Sequence, residues 1–241
     1  MRDTISLICN ELMSGVLPLL RPTANNSSNM EPGAECYQIN ERATESHNLS
    51  KFTFLGYFIG WAFYSVGSLN LELPSAFWAR LCGGLNYIYC LEDLRSQDTL
   101  LAASLQRIDE AAKDMSELDF NAVYGETAFV LETSQDDGSV IELCPGGSSK
   151  ALTRENASEY IDLYLRAYTE QDSIQFRKLY QAFEDVGTKK VLSLINPQIV
   201  KRRICSSAII DLESFKASTS ISEDVKEFFW QVVEEMSNDD R

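Results

Sequence analysis

Apolar residues recur at helical spacing at Ile5, Ile8, Leu12, Val16 and Leu19, which predicts a first helix from about Thr4 to Val16. Pro18 and Pro22 stand where it must stop, since proline lacks the amide that a helix interior needs. Residues 24–50 show no period. They are rich in Asn, Ser, Pro and Gly and read as a long loop with a short extended piece at Cys36 to Ile39. The pattern then turns strongly apolar: from Phe52 to Leu71 twenty consecutive residues carry no charge. That length is enough for a bilayer, and Gly56 and Gly60 supply the GxxxG spacing by which membrane helices pair. Ser65, Gly67, Ser68 and Asn70 interrupt the run, however, and residues 68–73 alternate polar and apolar before Pro74. A soluble core helix from Lys51 to Tyr64, with glycines that admit a neighbouring backbone, fits this better than a membrane span. A helix from Ser75 to Leu81 follows, with Ser75 as its N-cap and Gly83-Gly84 as its stop.

Beyond Leu91 the character changes. Leu94, Leu100, Leu101, Leu105 and Ile108 mark one or two short amphipathic helices. The segments around Val130 and Ile141 flank Gln135-Asp136-Asp137-Gly138, a β-hairpin signal. Cys144-Pro145-Gly146-Gly147 is a turn without the Lys-Ser/Thr of a phosphate loop. Thr153 is the expected cap of a helix reaching about Tyr168, and Ile174 to Phe183 predicts another. Near the end, Val225, Phe228, Phe229, Val232, Val233 and Met236 form one helical stripe, with Ser222 as N-cap ahead of Glu223 and Asp224.

Charge narrows the partners. The 241 residues carry a net charge of −15, so a nucleic-acid backbone is excluded as a partner. From Asp109 to Glu142 there are ten acidic residues against Lys113 alone, which places nine of the net negative charges in one stretch. Left to itself such a stretch is a solvated surface; beside a binding groove it would speed the approach of a basic partner. Met1 is not followed by a secretory signal, so the chain reads as cytoplasmic and the N-x-S sequons at Asn25, Asn26, Asn48 and Asn156 as chance matches. The six cysteines are scattered without metal-ligand spacing and read as single thiols in a reducing compartment. His47, the lone histidine, has no evident carboxylate or thiol partner in its loop, which leaves a His-based triad without support. Neither a cofactor nor a metal is implied.

Five segments in this order resemble the amino-terminal lobe of a HECT-type ubiquitin ligase. They run from Ile5 to Leu20, Phe52 to Pro74, Leu91 to Leu105, Glu142 to Tyr168 and Val225 to Ser237. The most specific are the FxFLGxxxGxA core with its LxLxLP sequel, and the PGG turn followed by T-x-E-N-x-x-E-Y. The first and last segments are most similar to HERC-type members. The resemblance implies an α+β fold, mainly α-helical, with a large helical subdomain (residues 1–95 and 173–241) and a smaller inserted one (residues 96–172) that contains a β-hairpin. It also implies that the inserted part docks a ubiquitin-conjugating enzyme. Matched by position, the groove would use Leu101, Ser104, Leu105 and Ile108 from one helix and Tyr160 and Tyr164 from another, with Leu118 and Phe120 as looser matches. Leu101, Leu105 and Ile108 share one helical face, as do Tyr160 and Tyr164, a pattern that serves a core as readily as a contact.

Family chemistry is a thiol relay, in which a cysteine takes ubiquitin from the conjugating enzyme and passes it to a lysine of a protein substrate. That cysteine belongs to a carboxy-terminal lobe, and none of the six cysteines here stands in its motif, so no catalytic residue is assigned. The chain reads as an interior piece of a ligase, whether a fragment or a truncated paralogue. Three rivals follow from the same residues: a non-catalytic module that binds the conjugating enzyme or ubiquitin, a membrane protein built on Phe52 to Leu71, and a thiol enzyme using Cys205 with its pKa lowered by Arg202 and Arg203.

Overall fold

The computed structural model describes residues 2–65, 68–132, 140–188, 192, 195–205, 215–216, 219 and 221–235. Helix α1 (Arg2–Met13) stops short of the predicted Val16. Gly15 turns the backbone into the left-handed region at φ 77°, and the Ser14 hydroxyl donates to the Glu11 carbonyl at 3.0 Å. Strand β1 (Leu20–Pro22), helix α2 (Ala24–Ser27) and strand β2 (Tyr37–Ile39) follow. The two strands pair antiparallel with Arg21 opposite Gln38. The loop predicted for residues 24–50 therefore holds more structure than its composition suggests. Thr23 caps α2 by accepting the Asn26 amide at 3.0 Å, and α3 (Ser46–Tyr64) starts one turn before Lys51. Ser46, His47, Asn48 and Ser50 conceal that turn, because Leu49 alone carries the apolar period there.

In α4 (Ser75–Gly83) Pro74 occupies the N-cap in place of the predicted Ser75, and Gly84 ends the helix at φ 82°. The predicted amphipathic segment is two helices, α5 (Leu91–Arg95) and α6 (Thr99–Asp114), the second capped by Asp98, which accepts from the Leu101 amide at 2.9 Å. After α7 (Glu117–Tyr124), strands β3 (Val130–Glu132) and β4 (Val140–Glu142) form the predicted hairpin with Leu131 opposite Ile141. Its turn at Gln135 to Gly138 lies outside the described residues. Helix α8 (Ala157–Glu170) begins a turn later than Thr153. Thr153 caps the turn that leads into it, its hydroxyl accepting the Asn156 amide at 3.4 Å and its amide donating to Asn156 Oδ1 at 2.7 Å. Asn156 holds the N-cap position of the helix itself. Helices α9 (Ser173–Asp185), α10 (Pro197–Cys205) and α11 (Glu223–Glu235) complete the order. The stripe predicted for α11 divides, with Val233 buried and Val225, Phe228 and Val232 facing solvent; Met236 lies outside the described residues. The architecture is the mainly helical α+β that the sequence predicts.

Buried apolar side chains gather in two clusters. One draws on residues 9–81 and 176–204, including Phe52, Ile59, Trp78, Phe176 and Phe183. The other lies within residues 94–165, including Leu105, Phe120, Phe129 and Tyr160. In the first, α3 lies against α9 at backbone distance. A Cβ on Gly56 would strike the Leu179 carbonyl and Ala182, and one on Gly60 would strike Val186, so the two glycines serve close approach inside a core. Among the described residues no helix is long and apolar enough to cross a membrane.

The chain leaves the first core between α4 and α5 and returns between α8 and α9, and buried polar groups fix both passages. At one, the buried Asn25 amide donates to the carbonyls of Pro32 (2.7 Å) and Arg95 (2.8 Å) and accepts from the Thr99 amide (2.7 Å). A sequon asparagine used this way is closed to glycosylation, and Asn48 is buried too. At the other, Arg80 pairs with Asp172 at 2.5 Å, its guanidinium carbon 4.0 Å from the Phe176 ring centre. Burial pushes the Asp172 carboxyl up from its ordinary value, and Arg80 pulls it only partly back.

Candidate functional site

The eight residues matched to a docking groove divide by accessibility. Helix α6 turns Leu105 and Ile108 into the second core, leaves Leu101 half-buried, and exposes Ser104, whose hydroxyl donates to the Leu100 carbonyl at 2.9 Å. On α7, Phe120 is fully buried while Leu118, two residues earlier, is 84% exposed. On α8, Tyr160 is 5% exposed and meets Phe129 edge to face at 5.1 Å between ring centres. Tyr164, one turn on, is half-buried with its ring centre 5.8 Å from that of Tyr160. The helical spacing that grouped these residues is thus the spacing of a core. Leu105, Ile108, Phe120 and Tyr160 build the platform, and Leu101, Ser104, Leu118 and Tyr164 present a surface.

Leu101 and Tyr164 share an open groove of about 360 Å³ with Leu131 from β3. Its far wall belongs to the β1–β2 hairpin, through Arg21, Pro22 and Gln38. Sequence reasoning passed over that wall, because residues some eighty positions away in the chain carry no periodic signal linking them to α6. Arg21 is positioned by Glu41, with Nε 2.7 Å from Oε2. Burial pushes the Tyr164 hydroxyl upward, with Tyr160, Asp98 and Glu132 adding to the effect, so it stays protonated and able to donate a hydrogen bond. The groove thus combines an apolar floor, the two phenols of Tyr164 and Tyr168, and a rim of both charges.

Of the acidic stretch from Asp109 to Glu142, Glu132 lines the groove. Asp109 pairs with Lys113 at 2.5 Å, and Arg154 closes the end of α6 by donating to the Ala112 carbonyl at 2.7 Å. Glu142 accepts the amides of Gly146 (3.2 Å) and Ser148 (3.0 Å), and hydrogen bonds from Ser148 hold its carboxyl below the ordinary range. The PGG turn therefore wraps a carboxylate, with Gly146 in the left-handed region at φ 76°.

Among the described residues the geometry does not favour the thiol reading. Burial pushes Cys205 up to about 12, the opposite of the shift that Arg202 and Arg203 suggested, and its sulfur faces the Leu71 carbonyl at 3.6 Å. Burial likewise carries Cys36 and Cys82 to about 11. Among the described residues no three His, Cys, Asp or Glu side chains come together to hold a metal ion. His47 does have a carboxylate neighbour, Glu45 at 3.2 Å, but both are exposed. Brief iodoacetamide treatment of the native chain near neutral pH, read by peptide mass spectrometry, is expected to label exposed Cys90 first and to spare Cys205, Cys36 and Cys9. Early labelling of Cys205 would revive the thiol reading.

Residues 6–241 match the HECT-domain (ubiquitin-transferase) family. The chain is 26% identical over 246 residues to the E3 ubiquitin-protein ligase HERC2 of Mus musculus, which covers 99% of this chain and 5% of that protein. It is 23% identical over 248 residues to the E3 ubiquitin-protein ligase HACE1 of Danio rerio, covering 100% of this chain and 26% of that protein. The chain thus spans between about a twentieth and about a quarter of the length of these relatives. A match that begins inside α1 and runs through both cores to the last residue takes in the whole architecture, and the chain belongs to the HECT-domain family.

Proposed function

We propose that this chain is the part of a HECT-type ligase that recruits a ubiquitin-charged conjugating enzyme, so that ubiquitin passes by transthiolation to a cysteine outside the chain and then to a lysine of a protein substrate. The observation that carries the reading is the groove holding Leu101 and Tyr164 above a well-packed platform. A few apolar anchors and two phenols on a rigid floor suit a small transient interface, where a handful of side chains supply most of the energy. In this reading the two cores are the large subdomain (residues 1–95 and 173–241) and the small docking subdomain (residues 96–172). The acidic surface from Asp109 onward favours a partner with a basic contact face. The setting is cytoplasmic, without membrane or nucleic acid as a partner.

The test is calorimetric titration of the purified chain against a panel of ubiquitin-conjugating enzymes. Tyr164→Ala and Leu101→Ala are expected to weaken binding to a responsive enzyme about tenfold or more while the chain stays folded, with a smaller loss of melting temperature than Leu105→Ala. Leu105→Ala is expected to lower stability by about 2–5 kcal/mol, because it opens a cavity in the platform. Raising the salt should slow association more than dissociation. A folded chain that binds none of the panel, or binding indifferent to Tyr164 and Leu101, would sink the proposal.

A further inference from the structure

From Phe54 onward helix α3 is apolar on every side. Its inner face, with Phe52, Leu55, Ile59 and Phe63, is buried in the first core. Its outer face carries Phe54, Tyr57, Trp61 and Tyr64, each between 41% and 54% exposed. Single exposed apolar residues are ordinary, but these four form one contiguous stripe with a 3-4-3 spacing, the seam by which one helix packs on another. The stripe is also held in place. Phe54 stacks on Phe58 and Phe58 on Trp61, with ring centres 5.8 and 6.4 Å apart. The Tyr57 hydroxyl donates to Asp185 at 3.1 Å and the Tyr64 hydroxyl to the Gly187 carbonyl at 3.0 Å. Rings fixed in advance lose little freedom when a partner covers them.

A second seam of the same spacing lies on the same chain. Helix α11 turns Trp230 toward Phe215, with ring centres 5.4 Å apart, and buries Val233. Val225, Phe228 and Val232 point the other way, between 38% and 73% exposed. At the rise of an α-helix the α3 stripe is about 15 Å long and the α11 stripe about 10 Å, so one fits within the other. Charge permits the match, because α3 contains Lys51 and no acidic residue, whereas α11 contains five acidic residues and Lys226. The nearby Asp185 is engaged by Tyr57.

We propose that the aromatic stripe of α3 receives α11 of a second copy of this chain, and that the reciprocal contact closes a two-fold dimer. With about 200 Å² per aromatic side chain, the exposed parts of the two stripes come to about 600 Å² per chain, or about 1,200 Å² for the pair, the lower edge of a specific stable interface. Each chain supplies one of each seam, so a two-fold axis satisfies both without leaving an open end.

Sedimentation equilibrium of the purified chain over a wide concentration range tests this. A reversible dimer is expected, weakened about thirtyfold or more by Trp61→Glu and equally by Phe228→Glu, each variant melting where the parent does. Phe54→Glu takes the place of Trp61→Glu should that variant melt early. Mixing the Trp61→Glu and Phe228→Glu variants restores one intact contact, so partial dimerisation should return. A monomeric parent chain overturns the proposal, and so does a dimer that Phe228→Glu leaves intact, since that result means α3 pairs with itself or with another surface.

Discussion

Asp172→Ala is expected to cost the chain about 3–5 kcal/mol of stability, measured by urea unfolding. Arg80 is the reason. Its side chain is 4% exposed, and it lies over Phe176 with Asp172 as its one carboxylate among the described ion pairs. Removing that carboxylate strands a guanidinium that cannot shed its proton and cannot reach water. The pair itself is another matter. The two charges fare differently: burial and Glu41 raise the Asp172 carboxyl against the pull of Arg80, whereas Asp172 holds the Arg80 guanidinium above its ordinary value against burial. What the pair costs is the desolvation of two charges, which apolar side chains of similar size avoid. The double variant Arg80→Met with Asp172→Leu should therefore recover most of the loss. A single variant that costs less than about 1 kcal/mol, or a double variant that costs the sum of its parts, would contradict this account.

Gly56→Val should be comparably damaging, for a steric reason. A Cβ at Gly56 points at the backbone carbonyl of Leu179 and at Ala182, so α3 and α9 must separate to admit it. Alanine at the same site gains about 1 kcal/mol of helix propensity over glycine yet is expected to lose about 1–3 kcal/mol overall. Gly60 provides the comparison. What a Cβ meets there is the Val186 side chain, which can turn aside, so Gly60→Ala should be milder than Gly56→Ala. Thermal melts of the three variants decide it, and equal losses at Gly56 and Gly60 would show that backbone approach is not the constraint.

Sequence pattern located α3 by its uncharged run, α6 by the period of its buried face, and the β3–β4 hairpin by its turn residues. It failed where polar side chains make structure. Thr23 caps α2 inside what read as loop, and four polar residues hide the first turn of α3. The same limit governs the groove. Helical spacing united Leu105 with Leu101 and Tyr160 with Tyr164, yet a period cannot say which member of a pair faces inward, and the structure buries Leu105 and Tyr160. Arg21 and Gln38 were beyond reach altogether, since the β1–β2 hairpin meets α6 only through tertiary packing.

The paired passages of the chain between its two cores have a consequence for how such a protein changes over time. To the first core, everything from the end of α4 to the start of α9 is a single excursion whose ends are clamped at Asn25 and Arg80. Closing an excursion costs entropy only as the logarithm of its length, so doubling the interposed stretch would cost the first core about 0.6 kcal/mol. The interposed second core can therefore lengthen, shorten or be exchanged as a cassette while the first keeps its stability, provided the two clamps are retained.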